Sequence, residues 1–329
     1  MNLKSLNLAA GPIFSSLMAC GFLVPHQAFA VECGDRILTP TFLTEELHCP
    51  LTVDSPYALT IVGPSGYLRM LGEGKITCDN SLGAGIAGVL VEGLSSFVAG
   101  GAVDSCPTGI ILEGVGSHSI LNTKISNSTS DGVEVISDFN FISGSEIIGS
   151  GPGSSSTGVA ITEGGEYTTI SSNFIDDNGI DGIAVRGQNT LVTLNEIVNS
   201  GVNGLLINAE NTTVTNNFIS FNLDDGIDIE TGFNTMSGNV IRENGEDGID
   251  VDNVVTGNLI NNNYVIDSVE LGIAIETNAV GNTIKDNTAQ GSGMFDLIDV
   301  TENAFCTNQL NTWENNTADT SSPDCLKGL

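Results

Sequence analysis

Residues 204–208 read GLLIN, 226–230 GIDIE, 248–252 GIDVD and 272–276 GIAIE. The same beat, a Gly followed by apolar-x-apolar, starts upstream at Gly109, Gly132, Gly158 and Gly182. From Gly109 to Gly272 the spacings are 23, 26, 24, 22, 22, 22 and 24 residues. Apolar residues at Gly+1 and Gly+3 point to one side of a strand and Gly+2 points to the other, so each copy predicts a short strand with one buried face. A second apolar beat follows an Asn, as in Asn195-Glu-Ile197, Asn217-Phe-Ile219 and Asn239-Val-Ile241. Another Asn precedes the next Gly by four or five residues, at Asn127, Asn178, Asn199, Asn222 and Asn244. Short apolar runs punctuated by Asn, Gly and Asp are strands joined by tight turns.

A unit of this length cannot bury its own apolar side, whereas stacked units can. The reading is an all-β solenoid, a right-handed parallel β-helix of roughly 11 turns, about 50 Å long at ~4.8 Å per turn. Its Asn columns are expected to stack as structural ladders and to suit left-handed turns, and the repeated Gly to permit backbone angles closed to other residues. The solenoid is placed at 61–295, with an N-terminal cap at 31–60 and a C-terminal cap at 296–329. Trp313, the chain's one Trp, is expected to plug the last turn, because buried area dominates aromatic energetics.

Residues 1–30 read as a secretory signal peptide. Lys4 is the only charge, an apolar stretch runs from Leu6 to about Val24, and Ala28-Phe29-Ala30 is a small-x-small cleavage pattern. A lipoprotein signal ending at Cys20 is the alternative. No other segment is apolar enough to span a membrane. The chain carries 9 basic and 40 acidic residues; without Lys4, 8 against 40 leaves a net charge of −32 from residue 31 on. That charge argues against nucleic acid and anionic membranes and fits a binder of cations. A monomer is expected. Six Cys follow residue 30: Cys33, Cys49, Cys78, Cys106, Cys306 and Cys325. Six Cys allow about fifteen pairings, and proximity favours 33–49, 78–106 and 306–325, staples that close the two ends.

The repeat breaks most clearly in charge. Asp224-Asp225-Gly-Ile-Asp228-Ile-Glu230 is followed 22 residues on by Glu246-Asp247-Gly-Ile-Asp250-Val-Asp252. Stacking sets Asp224 beside Glu246, Asp225 beside Asp247, Asp228 beside Asp250 and Glu230 beside Asp252. At ~4.8 Å each like-charged pair costs about 1 kcal/mol even in bulk water, and more near a protein surface. Eight carboxylates in one patch either need salt screening, as a solvated face of an acidic protein, or bind a cation, and oxygen ligands suit Ca²⁺. The outward residue at Gly+4 runs Arg186, Asn208, Glu230, Asp252, Glu276, so one Arg shares the acidic face. His118 is alone and expected to be structural or exposed.

The repeats over 50–295, the opening Cys33-Gly34-Asp35 and the closing Phe295-Asp296-Leu297, Cys306, Asn311-x-Trp313 and Cys325 resemble secreted β-helix proteins of the pectate-lyase-like superfold. The motif is most similar to their Asn-rich periplasmic class, first noted in copper delivery, although Met and His ligands for copper are nearly absent here. Asp224-Asp225-x-x-Asp228 resembles the calcium-ligand run of family-nine pectate lyases. There, calcium bridges an acidic sugar polymer and a Lys removes the proton. No Lys lies on the neighbouring turns, Lys285 being nearest, so Arg186 or Arg242 would have to serve as base, with a strongly perturbed pKa. A hydrolase would instead use paired carboxylates such as Asp225 and Asp228. The resemblance implies a Ca²⁺-stabilised protein that binds or processes polysaccharide; a non-enzymatic surface or adhesion module is the alternative.

Overall fold

The computed structural model describes residues 31–329 except 82, 84, 152–155, 303, 304, 306, 308, 309 and 327–329. The expected leader and Cys20 lie outside the described residues. Among the described residues three parallel sheets of 13, 12 and 12 strands, here A, B and C, run from Asp35 to Ser322. Each coil gives one strand to each sheet, and every strand pairs with the strand one coil on, as Ile227, Asp228 and Ile229 pair with Ile249, Asp250 and Val251. This is a parallel β-helix of about 12 coils. The extra coil comes from Asp35–Pro50, whose strands pair with those of Tyr57–Asp79 without carrying the Gly-Ile signature. Both stretches assigned to caps therefore contribute strands, up to Ser321–Ser322.

Each middle coil sends two residues inward from sheet A, such as Ile227 and Ile229, one from B, such as Met236, and one from C, such as Ile241, all fully buried. The B strand escapes the sequence pattern because it holds a single apolar residue between polar ones, as in Thr213–Thr215 or Thr235–Ser237. Burial of each such side chain contributes about 1.5–3 kcal/mol. At the far end Trp313 sits in the core, its indole N–H donating to Asp299 Oδ2 at 2.9 Å.

The repeated glycines have a reason other than the one expected. None of the repeat glycines, Gly109, Gly132, Gly158, Gly182, Gly204, Gly226, Gly248 and Gly272, adopts a left-handed φ. A Cβ on Gly226 would lie 2.5 Å from Ile241 Cγ2 and 2.6 Å from Gly248 O, so close approach of sheets A and C excludes a side chain there. The asparagines divide in two. Asn173, Asn195, Asn217, Asn239, Asn263 and Asn287 are buried, each accepting the next-lower coil's Asn or Ser amide at its Oδ1, as Asn217 does from Asn195 N at 2.9 Å. Asn222 and Asn244 continue a second buried ladder, and Asn234, Asn258 and Asn282 form a third. Asn127 and Asn199 instead occupy exposed left-handed turns, and Ser128 and Ser200 take the inward place beside them.

Between sheets A and B successive coils repeat one left-handed position, held by Ser95, Ser117, Phe139, Tyr167, Asn189, Asn211, Phe233, Gly257 and Gly281. That backbone costs residues other than Gly about 1–2 kcal/mol, least for Asn. His118 is fully buried; its Nδ1 accepts from Ser96 N and its Nε2 faces Glu113 O at 2.9 Å, a structural role. Two disulfides, Cys33–Cys49 and Cys78–Cys106, staple the first coils as expected. Cys325 is also disulfide-bonded, while Cys306 lies outside the described residues. Among the described residues no helix is long and apolar enough to cross a membrane.

Candidate functional site

The acids sit where the register of sheet A puts them. Asp228 and Asp250 are the outward residues of strands Ile227–Ile229 and Ile249–Val251 and are direct partners. Asp225 and Asp247 precede the glycines. The position before Gly is itself a ladder: Asp131 Oδ1 accepts Thr157 N at 2.7 Å, Asp181 Oδ1 accepts Asn203 N at 3.3 Å, Asn203 Oδ1 accepts Asp225 N at 3.2 Å, Asp225 Oδ1 accepts Asp247 N at 2.8 Å, and Asp247 Oδ1 accepts Leu271 N at 2.9 Å. These carboxylates are pinned on one oxygen and leave the other for an outside partner.

Carboxylate oxygens converge in three overlapping groups, each mutually within 4.8 Å: Asp224 with Asp225 and Glu246, Asp225 with Asp228 and Asp250, and Asp250 with Asp252 and Glu276. Of the eight acids expected to gather, Glu230 and Asp247 fall outside these groups, and Glu276 joins them. Glu230 leans one coil back, where it accepts from Asn208 Nδ2. Asp247 lies against the amide of Leu271. No acid of the three groups takes part in the ion pairs of the described residues, which involve Glu92, Asp104, Glu146 and Glu243.

Burial raises the carboxyl pKa values first and mutual repulsion raises them further. Asp250 is pushed up to about 9, with Asp225, Glu276 and Asp247 adding to the burial. Asp225 rises to about 8 and Asp228 to about 7, each mainly by burial and then by neighbouring acids. Asp247 and Asp181 reach about 6. Oδ1 of Asp250 is buried and has no hydrogen-bond partner in the protein. At neutral pH Asp225 and Asp250 therefore favour the protonated form unless a positive ion takes the proton's place.

Beside the acids a groove of about 360 Å³ runs over the preceding coils of sheet A. Ala160 and Leu206 floor it, and Asp181, Arg186, Asp228 and Glu230 line it. Arg186 is exposed and forms no ion pair among the described residues. It does partly offset the raised values of Asp181 and Asp131. The other expected base is elsewhere: Arg242 ends strand Val240–Arg242 of sheet C, over Phe218 and Phe221 at 5.8 and 5.7 Å and paired with Glu243 at 2.6 Å. Sheets A and C are different faces of the coil, so Arg242 does not share the outward face of the acids. Asp131 and Asp181 were missed by the sequence reading; their signal was the residue before each Gly, which reads Asp131, Asp181, Asp225 and Asp247 at four coils.

The sequence matches the right-handed β-helix region family over residues 87–210 and 157–318. The chain belongs to the right-handed β-helix family. No curated protein matches this β-helix chain by sequence. Among solved structures it is similar to a single-site variant of the periplasmic alginate epimerase AlgG, at 14% identity and TM-score 0.57, covering 88% of this chain and 79% of that one. It is also similar to the enzymatically active domain of tailspike protein 2 of bacteriophage CBA120, at 11% identity and TM-score 0.57, covering 76% and 43%. The Dettilon tailspike protein is similar at 16% identity and TM-score 0.50, covering 86% and 54%. At these identities the likeness is one of β-helix fold.

Proposed function

We propose that this protein is an exported β-helix that binds polysaccharide through Ca²⁺ held by Asp225, Asp228 and Asp250, with Asp224, Glu246, Asp252 and Glu276 extending the site along the axis. One observation carries the reading: three carboxylates of adjacent coils bring oxygens within 4.8 Å of one another, and one buried oxygen of Asp250 has no protein partner. Hard oxygen donors at this density suit Ca²⁺. A Ca²⁺ ion there would keep open positions toward the groove, where an acidic sugar can complete its coordination. The disulfides fit an exported protein. That an alginate epimerase and a tailspike's enzymatically active domain share the fold supports a polysaccharide as the ligand.

Titration calorimetry of the full chain with Ca²⁺ tests the metal. Binding is expected, with a higher melting temperature, and Asp250→Asn should weaken it at least tenfold; absence of heat and of any melting shift would overturn the site. Polygalacturonate and alginate should then bind only when Ca²⁺ is present.

A second reading, a Ca²⁺-dependent polysaccharide lyase, is favoured by Arg186, which stands in the groove near Asp181 and Asp228. An arginine base must give up a proton it otherwise keeps. This reading predicts new ultraviolet absorbance from unsaturated sugar ends, lost in Arg186→Ala and retained in Arg242→Ala. A hydrolase would release reducing ends without that absorbance, and a binding module would release neither.

A further inference from the structure

The left-handed position between sheets A and B is aromatic in three coils, at Phe139, Tyr167 and Phe233. These side chains are 58%, 48% and 58% exposed. Asn189, Asn211, Gly257 and Gly281 fill the same position in other coils with less backbone strain. Aromatic rings this exposed return little burial in exchange for that strain. Phe139 and Tyr167 stack, centroids 4.9 Å apart and planes 7° from parallel. The stack stops at Tyr167, because the next two coils carry Asn189 and Asn211. Phe233 stands three coils from Tyr167, about 14 Å along the axis at ~4.8 Å per coil. Its ring lies on Gly257, where a Cβ would be 2.8 Å from Cδ1.

The strip therefore reads aromatic, amide, amide, aromatic. Beside Phe233 is a hollow of about 280 Å³ lined by Glu210, Glu230, Asn253 and Val254. Glu230 also lines the groove over sheet A, so the two depressions meet at that residue. Val254 is a β-branched residue at φ 70° and is itself exposed. Ring faces flanked by amide and carboxylate groups match a pyranose, whose C–H face is apolar and whose rim is hydroxyl. Two carboxylates and no cation in the hollow reject a sugar acid at that point.

We infer that this edge is a second glycan-binding strip, which stacks uncharged sugar rings on Tyr167 and Phe233 and hydrogen-bonds their hydroxyls through Asn189, Asn211 and Glu210. It rests on the polysaccharide reading above and adds to it that the glycan contains neutral hexoses. The test is calorimetry of the full chain with cellohexaose and laminarihexaose, without Ca²⁺. The triple variant Phe139→Asn, Tyr167→Asn, Phe233→Asn serves as the comparison. The parent is expected to bind at least one hexamer and the variant at least tenfold more weakly. Ca²⁺ affinity should be unchanged and the melting temperature no lower, since Asn suits the left-handed position. Equal affinity of parent and variant overturns the strip. A parent that binds polygalacturonate with Ca²⁺ but neither neutral hexamer overturns the strip alone; one that binds no glycan overturns both readings. If the parent is a dimer in light scattering and the variant a monomer with unchanged glycan affinity, the strip is an interface between copies and the glycan assignment fails.

Discussion

Asp225 accepts a hydrogen bond on Oδ1 from the backbone amide of Asp247, one coil on, at 2.8 Å. The same carboxyl contributes to two of the three oxygen clusters. One residue thus closes a backbone ladder and offers a ligand atom.

The two roles separate by substitution. Asp225→Ala removes the acceptor and leaves a half-buried amide without its partner, at a cost of about 1–3 kcal/mol. Asp225→Asn keeps an acceptor, as Asn203 does in the coil before, and removes the charge. Denaturant melts should show the Ala variant destabilised and the Asn variant at parent stability or above, with Ca²⁺ affinity reduced in both. A parent-like Ala variant in the melts would refute the ladder role.

Stability should fall as pH rises. An Asp whose pKa is raised on folding is protonated more readily in the folded chain, so its contribution is fullest below its ordinary value of 3.8 and is lost up through the folded values, about 6 for Asp247, 7 for Asp228, 8 for Asp225 and 9 for Asp250. Without Ca²⁺ the melting temperature should drop between about pH 5 and pH 9, and Ca²⁺ should flatten the upper part of that drop. A melting temperature that climbs over this range would contradict the burial of the cluster.

Ca²⁺ competes with those protons. Near pH 7 binding should expel at least one, seen as a binding heat that changes with the ionisation enthalpy of the buffer. Identical heats in PIPES and Tris buffers, which differ in ionisation enthalpy, would count against Asp225 and Asp250 as ligands.

Gly226→Ala should destabilise by about 1–3 kcal/mol, because the new methyl meets Ile241 and the backbone of Gly248. Gly72→Ala makes a contrast, since a Cβ there meets nothing within 4 Å and the strain comes from its φ of 61° alone. Chemical melts of the two variants measure it, and a neutral Gly226→Ala would remove the close-approach explanation.

Asn217→Ala should cost several times the ~1 kcal/mol of a single hydrogen bond. Its Oδ1 serves both Asn195 N and Asn195 Nδ2, and its Nδ2 serves Val192 O and Asn239 Oδ1, all in the interior. A loss no greater than that of an exposed Asn, such as Asn199→Ala, would show that the ladder is not a main source of stability.

Much of this was legible in the residues. Inward positions at Gly+1 and Gly+3 are readable because a side chain's face on a strand follows from its parity. The pairing of Asp228 with Asp250 is readable because stacked coils of equal length keep register. The third strand of each coil was hidden, since one apolar residue among Thr and Ser makes no pattern. Arg242 lies close to Asp247 and Asp250 in sequence, yet it ends a strand of sheet C whereas Asp250 points outward from sheet A, a difference that spacing alone does not show.

Spacing and side-chain parity alone specify the coil, the number of residues in it, its buried side and the order in which acids line up along the axis. Which face of the coil each residue occupies, which oxygens converge and how far burial raises their pKa values are settled by packing in the folded chain. Those depend on the angle each turn sets between sheets and on where each side chain leans, as Glu230 does toward Asn208 and Glu276 toward Asp250 and Asp252.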